Sequence, residues 1–438
     1  MAIKFVCSKP GKKSVKIIRR DDRVMSPSFT REYSFVFKRA RGCYIWDVDG
    51  RRHLDFAAGI AVMGIGHSNP AVGRAVKDQL KMGTHVGFSD FYAELPVEFV
   101  EYAMKFLPKH LDTAFLSNSG TESVEAAYKM ARWHTKKKWA VAFKPSFHGR
   151  TMGSLSMTNS RPVQRDRFGP FLPVKHSPYP YCYRCPFEKG DHEHHKCTNN
   201  YLSELRKTML ECRGDLAAIF FEPISGEGGY IVPPKDFVRG MRELCDEHGV
   251  LLCDDEVQSG CYRTGKFLAI ENFGVKPDVV SLSKAIGGGV PLGLTVANRK
   301  TMDWVPGSHA NTFGGNLLAC AAGMATLKFM KEKRLGENAQ KIGGYIMKRL
   351  ERTKRDYDIV GDVRGMGLMI GLEIVSDKAS KRHGESERSN ILCKASEKGL
   401  LLLPAGRSAI RICPPLVINK SQAKTGIDIL EDAISESC

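Results

Sequence analysis

From about residue 69 onward, short uninterrupted apolar runs alternate with longer stretches in which apolar positions recur every three or four residues. The runs TAFLSNS, WAVAFKP, LAAIFFEPI, VLLCDDEV and DVVSLSK predict strands. Being apolar throughout, they belong in a sheet covered on both faces. The stretches SVEAAYKMARWHTKKK and FVRGMRELCDEHG predict the helices that cover it. The result is an α/β fold around a mostly parallel sheet.

The ends of the chain differ from this middle. YIWDVDGRRHLDFAAGIAV alternates apolar and polar residues around Asp49-Gly50 and predicts a β-hairpin. After Asn316, two helical stretches (LLACAAGMATLKFMKEK and NAQKIGGYIMKRLERTK) lead to strands in VRGMGLMIGLEI and AIRICPPL. The expected organisation is a large domain over 68–330 and a smaller α+β domain assembled from 1–67 and 331–438.

Composition narrows the class without naming it. With 42% hydrophobic and 26% charged residues, the chain has enough apolar surface for a large core. No apolar run approaches the roughly 18 to 20 residues needed to span a bilayer, and the N-terminus lacks a signal-peptide core. The thirteen cysteines are scattered, several inside apolar runs, which favours a reducing compartment; a cytoplasmic protein with no membrane association is expected. A net charge of +18 raises the reading of a nucleic-acid binder, but the basic residues are dispersed and the densest, KKSVKIIRR at 12–20, reads as a solvated arm. No nucleic-acid partner is expected.

Two motifs invite a metal or nucleotide and fall short. In YCYRCPFEKGDHEHHKC, Cys182, Cys185 and Cys197 with neighbouring histidines have ligand chemistry, but the second cysteine pair of a zinc ribbon is missing, and no metal is expected. GCYRTGK at 260–266 nearly completes a phosphate-binding P-loop, yet Phe267 stands where a magnesium-binding hydroxyl is required.

Three other features form a set. Ser119 and Glu122 have capping-box spacing at the head of an amphipathic helix, where free N–H groups and Gly120 offer an anion cradle. Asp254, Asp255 and Glu256 end an apolar strand, the edge at which parallel α/β sheets bind ligands. Lys284 ends DVVSLSK before three glycines, and a partly desolvated lysine there is a nucleophilic amine. An anion cradle, a carboxylate for a pyridinium nitrogen and a Schiff-base amine are the requirements of a pyridoxal phosphate site.

DFAAGIAV, SGTE, FHGRT, EPISGEGG, DDEVQSGCYRTGKF, SLSKAIGGG and NTFGGN together resemble the class III pyridoxal-phosphate aminotransferases of fold type I, and among them the 4-aminobutyrate aminotransferases. The resemblance runs from about Tyr44 to Pro415. It implies that Gly120 and Thr121 hold the phosphate of pyridoxal 5'-phosphate, that Phe147 stacks on its ring, and that Asp255 pairs with its nitrogen. It places Val257 and Gln258 against the other face of the ring, and makes Lys284 both the Schiff-base amine and the proton shuttle.

Thr312 matches a phosphate ligand given by a second subunit, which implies a homodimer or a dimer of dimers with shared sites. For substrate, the resemblance points to Ile60, Arg150, Glu222, Glu227 and Arg411. Arg150 would clamp the far carboxylate of an ω-amino acid, Arg411 would take the α-carboxylate of glutamate or 2-oxoglutarate, and Glu227 would neutralise Arg411 when that carboxylate is absent. Leu317 departs from the family, where proline is common. The implied reaction moves an amino group from 4-aminobutyrate, ornithine or lysine to 2-oxoglutarate in ping-pong fashion; racemisation or epimerisation on the same fold is the alternative.

Overall fold

The computed structural model describes residue 7, residues 10–187 and residues 194–438, leaving aside the side chains of 194–196. Its centre is a seven-stranded sheet in the spatial order Thr113–Ser117, Gly293–Ala297, Val279–Leu282, Leu251–Asp255, Leu216–Phe221, Trp139–Lys144, Val174–Pro178. Gly293–Ala297 runs antiparallel to both neighbours, and the remaining pairs are parallel. All five apolar runs became strands of this sheet. Leu216–Phe221 and Val279–Leu282 are buried at every position, because helices cover both faces. Two strands, Val174–Pro178 and Gly293–Ala297, complete the sheet beyond those expected.

The two ends of the chain meet. Tyr44–Asp47 and Arg52–Asp55 form the expected antiparallel hairpin, and Leu400–Leu401 adds to it in parallel. A further antiparallel sheet joins Val360–Met366, Met369–Asp377, Ala409–Ile412 and Leu403–Ala405. The near P-loop proves to be scaffold: Arg263, 1% exposed, donates to the carbonyls of Leu368 and Pro414 and so ties the central sheet to this C-terminal unit.

The basic arm departs from expectation. Lys12–Val24 is an α-helix, and its start is held from outside: the Asp49 carboxylate accepts from the N–H groups of Lys13 (3.0 Å) and Ser14 (3.1 Å). An acceptor at these orphan donors stabilises the first turn, so a stretch that reads as a charge run folds because a hairpin aspartate caps it. Cys7 is joined to Cys393 by a disulfide, which fastens the arm to the helix Glu385–Glu397.

Among the described residues no helix is long and apolar enough to cross a membrane. His192 and the side chains of His194 and His195 lie outside the described residues, and among those described no group of three His, Cys, Asp or Glu is arranged to hold a metal.

Candidate active site

Parallel pairing brings the two key residues to one edge. Asp255 sits opposite Ser281 on the adjacent strand, and three residues further on the chain leaves the sheet at Lys284. There the backbone turns sharply, with Lys284 itself at φ 48°, through the 3₁₀ turn Lys284–Gly287 and Gly288 at φ 60°. A Cβ on Gly288 would meet Thr326 Oγ1 at 2.2 Å, so glycine there lets the turn seat against the helix Leu317–Glu332. Burial lowers the Lys284 pKa below the ordinary lysine range, against the opposing pull of Asp255, Glu227 and Glu222. Lowering favours the free amine that acts as nucleophile and base.

The helix Gly120–Thr135 begins across the cavity from this lysine. Ser119 Oγ accepts from the Glu122 N–H (3.3 Å), while the Glu122 carboxylate reaches past Ser119 to the Asn118 N–H (2.7 Å). The capping box is therefore displaced by one residue on its return side. Val257 packs on the helix start so closely that a Cβ on Gly120 would lie 2.6 Å from its Cγ1. Thr121 Oγ1 shares hydrogen bonds with Thr151 (2.8 Å) and Ser154 (2.6 Å).

Gly120, Thr121, Phe147, Arg150, Glu222, Asp255, Val257, Gln258 and Lys284 line one cavity of about 230 Å³, together with His148 and Gly149. Asp255 Oδ1 accepts from the Val257 N–H (3.1 Å), which locks the carboxylate to the residue that forms the cavity wall. Its Oδ2 meets His148 Nδ1 at 2.7 Å. Burial opposes charge on His148, but the hydrogen bond and charge of Asp255, with Glu222, raise its pKa above the ordinary value. The contact with His148 on one oxygen and the Val257 N–H on the other fixes the orientation of the Asp255 carboxylate at the cavity.

Glu222 serves the loops. Its carboxylate accepts from the N–H of Phe147 (2.9 Å) and of Gly226 (3.0 Å), fixing the aromatic wall of the cavity to the segment that carries Glu227. Burial raises its pKa to about 7, with His148 opposing. Gln258 accepts from the Tyr230 hydroxyl at 2.9 Å.

The remaining residues, Arg150 apart, lie around the cavity rather than in its wall. Arg411, 4% exposed, is gripped by Glu227 through two hydrogen bonds of 2.7 and 3.1 Å and also donates to the Pro404 carbonyl. Burial works against ionising Glu227, and Arg411 overcomes it, holding the carboxyl below its usual range. Arg150 is exposed, with its guanidinium 5.5 Å from the Phe147 ring centre. Thr312 sits on an exposed loop beside exposed Phe313 and does not line the cavity with Lys284.

Ile60 is also exposed, in a turn where Ala58, Gly59, Ile60 and Ala61 all have left-handed φ of 46°, 59°, 62° and 62°. Asp55 pins the entrance to that turn by accepting from the N–H groups of Ala57 (2.8 Å) and Ala58 (2.9 Å). Ala61 then packs with Ile224, Tyr230 and Cys413, next to Arg411.

Sequence reasoning passed over His148 and Tyr230. His148 lies inside FHGRT, and a histidine between an expected ring-stacking Phe and a glycine was the available signal. Tyr230 follows two glycines and offered none.

The residues fit pyridoxal 5'-phosphate: a helix start that lines the cavity for the phosphate, a valine and a phenylalanine for the ring, a buried carboxylate backed by a histidine, and an amine of lowered pKa. The family model for class III aminotransferases matches residues 26–434. The chain belongs to the class III aminotransferase family.

Its relatives are varied. A leucine/methionine racemase of Thermococcus litoralis is 37% identical over 96% of this chain and 95% of its own length. An acetylornithine aminotransferase of Methanosarcina mazei is 39% identical, covering 95% and 96%. A probable 4-aminobutyrate aminotransferase of Bacillus subtilis is 35% identical, covering 94% and 96%. Among solved structures, a PLP-bound amine transaminase from an uncultivated Pseudomonas species superposes with a TM-score of 0.89 at 31% identity, covering 95% of this chain and 98% of that one. The fold is that of the fold type I transaminases, and the cofactor of this class III chain is pyridoxal 5'-phosphate. When bound, it supplies a ring that accepts the negative charge released as a substrate C–H bond is broken.

Proposed function

We propose that this class III aminotransferase moves an amino group from an ω-amino acid (4-aminobutyrate, ornithine or lysine) to 2-oxoglutarate in two half-reactions. The observation that carries this reading is the Arg411–Glu227 pair. A ping-pong enzyme of this kind must accept an α-carboxylate in one half-reaction and tolerate its absence in the other. An arginine with a carboxylate already in place beside it meets both demands: a substrate carboxylate displaces Glu227, and without one Glu227 keeps the buried cation paired.

In this reading Arg150, at the exposed rim, takes the far carboxylate, and Ile60 contributes apolar surface. Lys284 carries the proton between the substrate carbon and the cofactor, and Asp255 keeps the ring nitrogen protonated. Thr312 completes the phosphate site of a second copy, so the functional unit is a dimer. Amino donors screened against 2-oxoglutarate and pyruvate test the proposal; formation of glutamate from an ω-amino donor supports it.

A second reading has its own observation, the 37% identity to a leucine/methionine racemase. Incubation with a single L-amino acid and no oxo acid separates the two. Inversion of configuration without amino transfer would overturn the aminotransferase reading.

A further inference from the structure

Away from the cavity, the turn Cys182–Arg184 brings three thiols together. Cys185 Sγ and Cys197 Sγ lie 2.9 Å apart, and Cys182 hydrogen-bonds with Cys197. Two thiolates on one tetrahedral zinc, each about 2.3 Å from the metal, stand about 3.8 Å apart; among the described residues no group of three His, Cys, Asp or Glu is arranged to hold a metal, and the observed spacing is shorter. It is a small side-chain movement from the roughly 2.05 Å of a sulfur–sulfur bond.

We propose that Cys185 and Cys197 are a reversible dithiol–disulfide pair, a modification site separate from the cofactor cavity. Cys185 is partly exposed and Cys197 is 1% exposed, which sets the order of events. The Cys185 thiolate attacks one sulfur of a low-molecular-weight disulfide and expels one small thiolate, leaving a mixed disulfide. The Cys197 thiol loses its proton to solvent, attacks the Cys185 sulfur and expels the second small thiolate. Two protein thiols are oxidised and one external disulfide is reduced to two thiols.

The pair sits where such a bond has reach. Tyr181 and Arg184, on the same turn, donate to Glu373 at 2.8 and 2.9 Å. Glu373 also accepts from Arg364 and from Ser408. Ser408 directly precedes the strand Ala409–Ile412 that carries Arg411, and Arg364 donates to the Gly229 carbonyl, two residues beyond Glu227. A sulfur–sulfur bond therefore stiffens the turn that braces both sides of the Arg411–Glu227 pair.

The test is made on the full-length holoenzyme. The protein is incubated with oxidised glutathione, denatured, alkylated and mapped by mass spectrometry, with bound zinc measured in parallel. The expected result is a cross-linked peptide joining Cys185 to Cys197 that dithiothreitol reverses. The cross-link should be absent in Cys197→Ser and retained in Cys182→Ser. Alkylation of both thiols after oxidation, glutathione adducts alone, or one zinc per chain retained through Cys185 and Cys197 would each overturn the proposal. Mapping of the unmutated protein decides the matter even if Cys197→Ser fails to fold.

Discussion

Arg411 and Glu227 face one another in a two-point contact, with the guanidinium almost wholly buried and its remaining hydrogen bonds spent on the Pro404 carbonyl. Removing the carboxylate leaves a cation whose other partner is a single carbonyl. Glu227→Gln should slow the half-reaction with a donor lacking an α-carboxylate by about tenfold, a barrier increase of about 1.4 kcal/mol, while the glutamate half-reaction changes much less. Single-turnover kinetics of the two half-reactions, measured separately, check this; equal losses in both would remove the switching role.

Lys284→Ala should reduce turnover by more than about 10³-fold, since one amine is assigned both covalent attachment and proton transfer. The absorbance of lysine-linked cofactor should vanish while the far-ultraviolet circular dichroism stays unchanged. Near-normal transamination by this variant would mean that another group does the chemistry.

Gly120→Ala places a methyl group 2.6 Å from Val257 Cγ1. Either the valine leaves its position on the cavity wall or the helix start retreats, and both spoil the cofactor seat. Cofactor affinity, followed by equilibrium dialysis, should fall at least about tenfold, with a much smaller change in thermal stability.

Glu222 gives a pH signature. Its pKa in the folded protein is raised to about 7 from the ordinary 4.5, chiefly by burial. The native state then holds a proton that the unfolded chain has released, so this contribution to stability is complete below about pH 4.5 and is lost as pH rises through 7. Its size is on the order of 3 kcal/mol. Glu222→Gln should flatten the fall in denaturant-measured stability between pH 5 and 7.5. The amide also turns an N–H toward a backbone N–H that now has an acceptor, but that cost is the same at every pH and leaves the slope readable.

Much of the fold was legible because its central strands are buried on both faces and must be apolar throughout; Leu216–Phe221 and Val279–Leu282 announce themselves. Val174–Pro178 lies at the sheet edge with only one fully buried residue, Ser177, so its sequence carries little hydrophobic signal. The helix Lys12–Val24 was illegible for a different reason. Its capping acceptor, Asp49, is remote in sequence, and no local pattern encodes it. The same division holds at the site. Lys284, Asp255 and Gly120 could be read from strand ends and a helix start, whereas the Asp255–His148 bond joins residues 107 apart and depends on how two strands are spaced.

The turn at residues 58–61 has a consequence in handedness. Over four consecutive residues the backbone takes the conformation natural to amino acids of the opposite chirality, and three of the four carry side chains that oppose it, at about 1–2 kcal/mol each. Semisynthetic chains with D-alanine at position 58 or 61 should recover that energy, whereas the same mirror-image residue in the neighbouring helix Pro70–Met82 would destabilise it. At this one turn, an inverted stereocentre is the better fit to the native path.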